Sequence, residues 1–184
     1  MGKDGNLWYN ALRAMTRRDF IWTSSLAAMA GCVCSPCKRA DKFAVNASTL
    51  RGYNLALLDQ VKAVAAAGFR GFEPWMKDIR AAVDNGTFRD ALKAAADGGL
   101  SFVNGIAFGQ WVNPDPAVRA AGLEETKRDM ALLAEMGCPC IAASMFGVQK
   151  PGSPHVPKEA IAERYAAVLD LSRKMGVQIG RAHV

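Results

Sequence analysis

Five cysteines in two groups are the residues whose spacing first raises the question of a metal or redox site. Cys32, Cys34 and Cys37 form one group, and Cys138 and Cys140 form the other. Neither C-x-C-x₂-C nor C-P-C has the paired C-x₂-C spacing of ordinary zinc sites, and five cysteines cannot all pair in internal disulfides. A zinc or iron–sulfur site shared by both groups remains the alternative. We expect Cys138 and Cys140 to be core residues where a helix gives way to a buried strand.

Histidine is too scarce to support the usual nucleophilic arrangements. The chain has only His155 and His183, and His155 lies in the Pro/Gly-rich loop 149–157. This setting predicts a surface histidine, with a substrate contact as the alternative. No Ser-His-Asp or Cys-His arrangement can be argued from one histidine in the folded region.

Polar and aromatic side chains also recur where apolar runs end. Glu73 and Trp75 close one such run, and Asn46 and Ser48 lie in an earlier one. The others of this kind are Asn104, Gln110, Trp111 and Ser144. Their role depends on the elements that hold them.

Apolar strands and amphipathic helices alternate regularly from Phe43 onward. The predicted strands are Phe43–Ser48, Gly71–Trp75, Leu100–Phe108 and Cys140–Ser144, with a fifth beginning at Val177–Gln178. The predicted helices are Leu55–Ala67, one or two turns at Ile79–Asp84, Phe88–Asp97, Leu123–Met136 and Lys158–Met175.

Such strand–helix units indicate an α/β fold with parallel strands and right-handed crossovers. A doubly wound sheet and a (β/α)₈ barrel both fit the pattern. No G-x-G-x-x-G follows the first strand and no P-loop is present, which disfavours a dinucleotide-binding fold. The chain holds about four βα units plus the start of a fifth strand.

Composition and charge are those of a soluble globular protein. The 184 residues are 51% hydrophobic and 22% charged, with a formal net charge of +6. Residues 42–178 hold 16 basic and 14 acidic residues, a net charge of +2, so we expect no nucleic-acid partner. These 137 residues can bury a core but fall short of the roughly 250 of a closed eight-fold barrel.

The N-terminal region resembles a bacterial twin-arginine export signal. Arg17 and Arg18 precede a short, weakly apolar run, Thr23–Ala30, far below the roughly 20 residues that span a bilayer. We therefore expect residues 1–41 to be an export signal and linker, and the protein to be periplasmic or otherwise outside the cytoplasm. A basic amphipathic helix is the alternative, and Met15 is a second candidate start. Cys32 lies in an imperfect lipobox, so membrane attachment is expected only if Cys32 is lipidated.

The last six residues, 179–184 (IGRAHV), resemble the translation of a sequencing adapter. We expect the natural sequence to leave this chain at about Gln178 and to continue in a missing part, with a natural short C-terminus as the alternative.

Three segments together resemble a known family. They are Asn46–Gly52 (NASTLRG), Ala67–Trp75 (AGFRGFEPW), and Met136–Cys138 leading into Ile141–Ser144. Over residues 43–178 the chain resembles the sugar phosphate isomerase/epimerase family of xylose isomerase-like TIM barrels. The resemblance implies that residues 42–178 are the N-terminal half of such a (β/α)₈ barrel.

The resemblance also implies an activity. Family members hold a divalent metal (Mn, Mg, Co or Zn) and isomerise or epimerise a sugar or polyol next to its carbonyl through an enediolate. The family's Glu, Asp, His and Glu ligands come from strands of the second half. We therefore expect a metal in the full-length protein, no metal ligand in this chain, and no activity from this chain alone. The alternatives are an exported, non-catalytic carbohydrate-binding barrel and an endonuclease-IV-like DNA repair barrel, which the lack of histidines on early strands disfavours.

In a barrel, the C-terminal strand ends face the active-site mouth. We therefore predict that Glu73 hydrogen-bonds sugar hydroxyls and that Trp75 stacks on the sugar ring. The alternative is that Glu73 pairs with a neighbouring side chain and Trp75 packs under its loop. The remaining predicted substrate-binding residues are Asn104, Gln110, Trp111 and Ser144, and one of Asn46 and Ser48 is expected to line the pocket. Open strand edges lead us to expect self-association, so a homo-oligomer joins the small-molecule sugar among the expected partners.

Overall fold

Parallel strands and helices alternate through residues 43–148, 152–153 and 155–180, which the computed structural model describes. The strands form two three-stranded sheets, ordered β1-β2-β3 and β4-β5-β6, and all their pairings are parallel. The strands are β1 (Ala44–Asn46), β2 (Gly71–Glu73), β3 (Ser101–Phe102), β4 (Gly105–Ala107), β5 (Cys140–Ala143) and β6 (Gln178–Ile179).

Helices connect the paired parallel strands, as parallel pairing requires, whereas β3 and β4 follow each other directly. They are α1 (Leu57–Ala66), α2 (Met76–Asp84), α3 (Phe88–Asp97), α4 (Pro116–Glu135) and α5 (Lys158–Met175). Two short 3₁₀ turns, Ala47–Thr49 and Arg51–Tyr53, lie in the loop after β1. The sequence predicted the bounds of α3 and α5 correctly. α5 is followed by Gly176, whose φ of +68° is the left-handed conformation that glycine adopts without strain.

The predicted third strand is continuous in space but carries one extra residue. Val103 N donates to Phe72 O at 3.0 Å, and Ile106 N donates to Pro74 O at 2.9 Å. A three-residue step on the third strand therefore opposes a two-residue step on the second, which defines a bulge at Val103–Asn104. The bulge separates β3 from β4, and a parallel bridge from Trp75 to Ile106 joins the two sheets.

Helix α2 is longer than the sequence predicted. One or two turns at Ile79–Asp84 were expected, but the helix starts at Met76, directly after Trp75. Met76, Ile79 and Ala82 are all buried, at the three-residue spacing of one helix face. Packing of that face extends the helix toward its N-terminus.

Helix α4 also starts earlier than predicted, at Pro116 instead of Leu123. The carboxylate of Asp115 accepts hydrogen bonds from Ala117 N at 2.8 Å and Val118 N at 3.2 Å. Pro116 occupies the first turn, where its missing N–H costs nothing. An Asp–Pro pair is an N-terminal signal that outweighs the weak apolar periodicity of residues 116–122.

The loop between β4 and α4 lies directly against the middle of α4. A Cβ atom at Gly122 would lie 2.5 Å from the carbonyl carbon of Gln110 and 2.8 Å from Trp111 N. A Cβ atom at Gly109 would lie 2.9 Å from Gly122 O. Two glycines thus permit backbone to pack on backbone here.

The core lies between the strands and the helices. Phe72 and Ile141 of the strands and Met76, Leu133 and Val168 of the helices are fully buried in one cluster. Parallel strands inside and helices outside make this part of a (β/α)₈ barrel, as the sequence predicted. Within the described residues, none of the helices has the length and apolar character needed to cross a membrane.

Candidate functional site

Asn46 and Glu73 form a hydrogen-bonded pair at the C-terminal ends of β1 and β2. They are register partners, and Asn46 Nδ2 donates to Glu73 Oε2 at 3.0 Å. Asn46 Oδ1 accepts from Ser48 N at 2.9 Å, which fixes the orientation of the amide. Phe72, the neighbour of Glu73, is buried toward the helices, so Glu73 lies on the opposite, concave face. A half-buried carboxylate held this way can accept hydrogen bonds from a ligand's hydroxyl groups.

An aromatic cluster stands beside this pair, and we call Trp75, Phe108 and Phe146 the aromatic shelf. The rings of Trp75 and Phe108 meet edge to face with centroids 5.9 Å apart, and those of Phe108 and Phe146 lie 5.5 Å apart. Phe108 and Phe146 are 36% and 40% exposed. Lys77 Nζ lies 4.5 Å from the centroid of a Trp75 ring, within the range of a cation–π contact. Exposed aromatic faces of this kind can stack on the apolar face of a sugar ring.

The sequence predicted Trp75 at this place but missed Phe108 and Phe146. Both follow the ends of parallel strands, after β4 and β5, so they share the edge of the sheet that carries Trp75. An aromatic residue just after a buried strand was the signal that could have found them.

Asn104 and Ser144 lie at two different places near this edge. Asn104 belongs to the bulge inside the third strand, and among the described residues its buried Oδ1 has no hydrogen-bond partner. Ser144 follows β5, and its carbonyl oxygen accepts a hydrogen bond from Phe146 N at 2.8 Å. This turn helps to set the position of Phe146.

Gln110 and Trp111 were predicted to contact substrate, and both engage neighbours. Gln110 Oε1 accepts a hydrogen bond from Asn113 Nδ2 at 2.9 Å. Trp111 is 2% exposed, and its ring centroid lies 5.7 Å from that of Tyr165 on α5. The Trp111 ring borders a groove of about 350 Å³ between α4 and α5. Because that ring packs among the helices, its faces are not available for stacking at the aromatic shelf.

Cys138 and His155 follow the simpler predictions, whereas Cys140 was predicted in the core and lies outside the core cluster. Cys138 is buried and Cys140 half-buried, and the Cys138 thiol donates to Cys140 O at 3.4 Å. Burial raises the pKa of Cys138 to about 11, so the reactive thiolate is disfavoured. His155 is exposed, as predicted. Cys32, Cys34 and Cys37 lie outside the described residues.

No metal centre is formed within residues 43–148, 152–153 and 155–180. No group of three or more His, Cys, Asp or Glu side chains in these ranges could hold an ion.

Comparison with known proteins identifies relatives of this fold. Residues 61–180 match the model of the family described as the xylose isomerase-like TIM barrel. No curated protein matches the chain. A crystal structure of a protein from Sinorhizobium meliloti 1021 is 24% identical with a TM-score of 0.61, covering 77% of this chain and 50% of that one.

Two further solved structures of this fold are named for an epimerase and for a bound zinc atom. D-Psicose 3-epimerase in the presence of D-fructose is 20% identical with a TM-score of 0.57, covering 69% of this chain and 46% of that one. The IOLI protein with a bound zinc atom is 18% identical with a TM-score of 0.61, and the match covers 74% of this chain and 49% of that one. The chain thus spans about half the length of the solved structures that it matches.

Proposed function

Because the chain belongs to the xylose isomerase-like TIM barrel family, we propose that it supplies the sugar-binding half of an isomerase or epimerase. The complete protein would act on a sugar or polyol next to its carbonyl group, through an enediolate. The observation that carries this proposal is the aromatic shelf beside the Asn46–Glu73 pair at the C-terminal strand ends. In TIM barrels these strand ends form the active site.

Each part of the site has a separate task in this proposal. Glu73, held by Asn46, accepts hydrogen bonds from sugar hydroxyls, and the aromatic shelf binds the apolar face of the sugar ring. Ser144 turns the chain so that Phe146 joins the shelf. Ring stacking and carboxylate hydrogen bonds together orient a sugar without performing the chemistry themselves.

We propose in addition that the complete protein binds a divalent metal, which would polarise the substrate's carbonyl group when bound. The zinc-bound relative of the same fold supports this. The described residues do not fit such a centre, since Glu73 has Asn46 beside it and no cluster of further ligands. The metal ligands are therefore assigned to strands other than β1–β6.

Sugar binding by the shelf is tested with Phe146→Ala. We expect this variant to bind D-fructose about fivefold more weakly, because it removes an exposed aromatic ring of the shelf, 40% exposed. Binding is measured from the shifts of aromatic ring proton signals in NMR titrations of the full 184-residue chain.

The matched control is Phe43→Ala, which removes an aromatic ring that is 61% exposed at the start of β1, the opposite end of the barrel. Equal loss of binding in both variants would count against a sugar site at the shelf. Retained binding in Phe146→Ala would do the same.

For the N-terminal region, which lies outside the described residues, we propose export by the twin-arginine route. Replacing Arg17 and Arg18 with lysine in a fusion of residues 1–41 to a reporter is expected to abolish export, because the pair is the recognised element. The location of the reporter by cell fractionation is the measurement. Unchanged export of the lysine variant would point to another route.

A further inference from the structure

A small polar cavity lies beside the aromatic shelf, between the loop after β1 and the first turn of α2. Its volume is about 60 Å³, and its lining includes Arg51, Gln60, Trp75 and Lys77. One buried water needs roughly 15 Å³, so the cavity has room for several waters or a hydroxymethyl group.

Two residues that line this cavity, from different elements, each have one buried polar atom without a hydrogen-bond partner among the described residues: Gln60 Oε1 and Trp75 Nε1. Gln60 is only 5% exposed, and its Nε2 donates to Leu55 O at 2.8 Å and to Asp78 Oδ2 at 3.1 Å. These two bonds fix the orientation of the amide, and Oε1 is left as a hydrogen-bond acceptor without a donor. Buried polar groups are rarely left in this condition.

The two atoms need opposite hydrogen-bonding partners. Gln60 Oε1 requires a donor, and Trp75 Nε1 requires an acceptor. A hydroxyl group supplies both, whereas an anion would satisfy only the indole and an ammonium group only the amide oxygen. Arg51 and Lys77 also line the cavity, and because they are exposed they can move to admit a ligand.

We propose that this cavity is a subsite for the hydroxyl-bearing end of a sugar or polyol, recognised by Gln60 and Trp75. The proposal rests on the proposed function, because Trp75 contributes its ring to the aromatic shelf and its Nε1 to the cavity. A substrate on the shelf would then place one terminal hydroxyl group in the cavity, which selects for the length of the sugar or polyol.

The test follows the indole N–H signals of the full chain in ¹H–¹⁵N spectra, with Trp75→Phe assigning the Trp75 signal. Glycerol and D-fructose are the probes. Both are expected to shift the Trp75 signal and to leave the Trp111 signal in place, because Trp111 packs against Tyr165 instead.

Gln60→Met tests the acceptor and is expected to weaken the glycerol response about tenfold, the loss of one hydrogen bond to the probe. The variant also loses the two Nε2 bonds to Leu55 and Asp78. Gln110→Met is the matched control, since Gln110 pairs with Asn113 and is not among the cavity residues. If Gln60→Met does not fold, the Trp75 signal of the unchanged chain decides the question.

Three outcomes would overturn the subsite. If D-fructose perturbs the ring signals of Phe108 and Phe146 but not the Trp75 indole signal, the sugar contacts these two phenylalanines and the subsite fails. A shift of the Trp75 signal with inorganic phosphate but not with glycerol would make the cavity an anion site. If neither glycerol nor D-fructose shifts the signal, the cavity holds a trapped structural water instead of a ligand. No response to D-fructose at any of these signals would refute the proposed function as well.

Discussion

Replacing Gly122 with alanine is expected to destabilise the protein by about 2 kcal/mol, although alanine is the better helix former by about 1 kcal/mol. The added Cβ would lie 2.5 Å from the carbonyl carbon of Gln110 and 2.7 Å from its nitrogen. Both are backbone atoms, so no side-chain rotation can relieve the contact. Either α4 or the loop after β4 must shift, and urea unfolding followed by circular dichroism measures the cost.

Gly52→Ala is the control for this substitution, because no atom lies within 4 Å of a Cβ built at Gly52. Its free energy of unfolding is expected to change by less than about 0.5 kcal/mol. A Gly122→Ala variant more stable than the unchanged chain would show that helix propensity dominates and that the loop does not rest on α4.

Replacing Arg80 with leucine is expected to cost about 3 kcal/mol at neutral pH, because it removes the cation beside a buried carboxylate. Arg80 on α2 bonds to Asp129 on α4 at 2.5 Å and to Glu125 at 3.0 Å. Asp129 is fully buried, and its second oxygen has no partner among the described residues. Without Arg80, the ionised Asp129 would have no compensating charge on the facing helix.

The loss of stability in Arg80→Leu is expected to depend on pH. Burial raises the pKa of Asp129 above its usual value of 3.8, although Arg80 lowers it. An acid with a raised pKa in the folded state stabilises that state most below its ordinary pKa, and this contribution is lost as the pH rises toward the raised value. Removing Arg80 widens that window, so the Arg80→Leu defect should be smaller at pH 5 than at pH 8.

Urea unfolding at both pH values measures the effect, and Arg80→Leu combined with Asp129→Asn is the control. The double variant should recover part of the stability and lose the pH dependence, since no buried charge remains. An Arg80→Leu defect of equal size at both pH values would show that Asp129 is not the group responsible.

The order of strands and helices could be predicted because each element carries its own periodicity. α3 and α5 had the correct bounds because glycines stop both of them: Gly98 and Gly99 after α3, and Gly176 after α5. The predicted start of α4 was wrong because the cap at Asp115 decided it, eight residues before the strong apolar pattern begins at Leu123. Local sequence signals were sufficient to predict helix bounds where a clear stop signal, such as a glycine, followed the helix.

The candidate site was predictable only at single positions. Glu73 was expected at a strand end, but its pairing with Asn46 depends on the register of two strands 27 residues apart. The aromatic shelf joins residues from three loops, and no periodicity in the sequence reports contacts between them. Trp111 follows the same strand as Gln110, and only the packing of α5 decides that its ring lies among the helices.

The bulge in the third strand determines which side chains reach the aromatic shelf. Phe102 is buried toward the helices, and so is Gly105, where an added Cβ would lie 2.5 Å from Leu133 Cδ2. Residues three apart in a regular strand face opposite sides, so the extra residue has reversed the alternation. Phe108 thereby faces the mouth. A strand of the same length without the bulge would turn Phe108 toward the helices and present Ala107 instead. Deleting one residue at 103–104, by contrast, would make the strand regular with Phe102 and Gly105 still on one side, and Phe108 would keep facing the mouth. The side that Phe108 faces therefore depends on the bulge and the extra residue being present together or absent together, a dependence that no substitution at Phe108 itself would reveal.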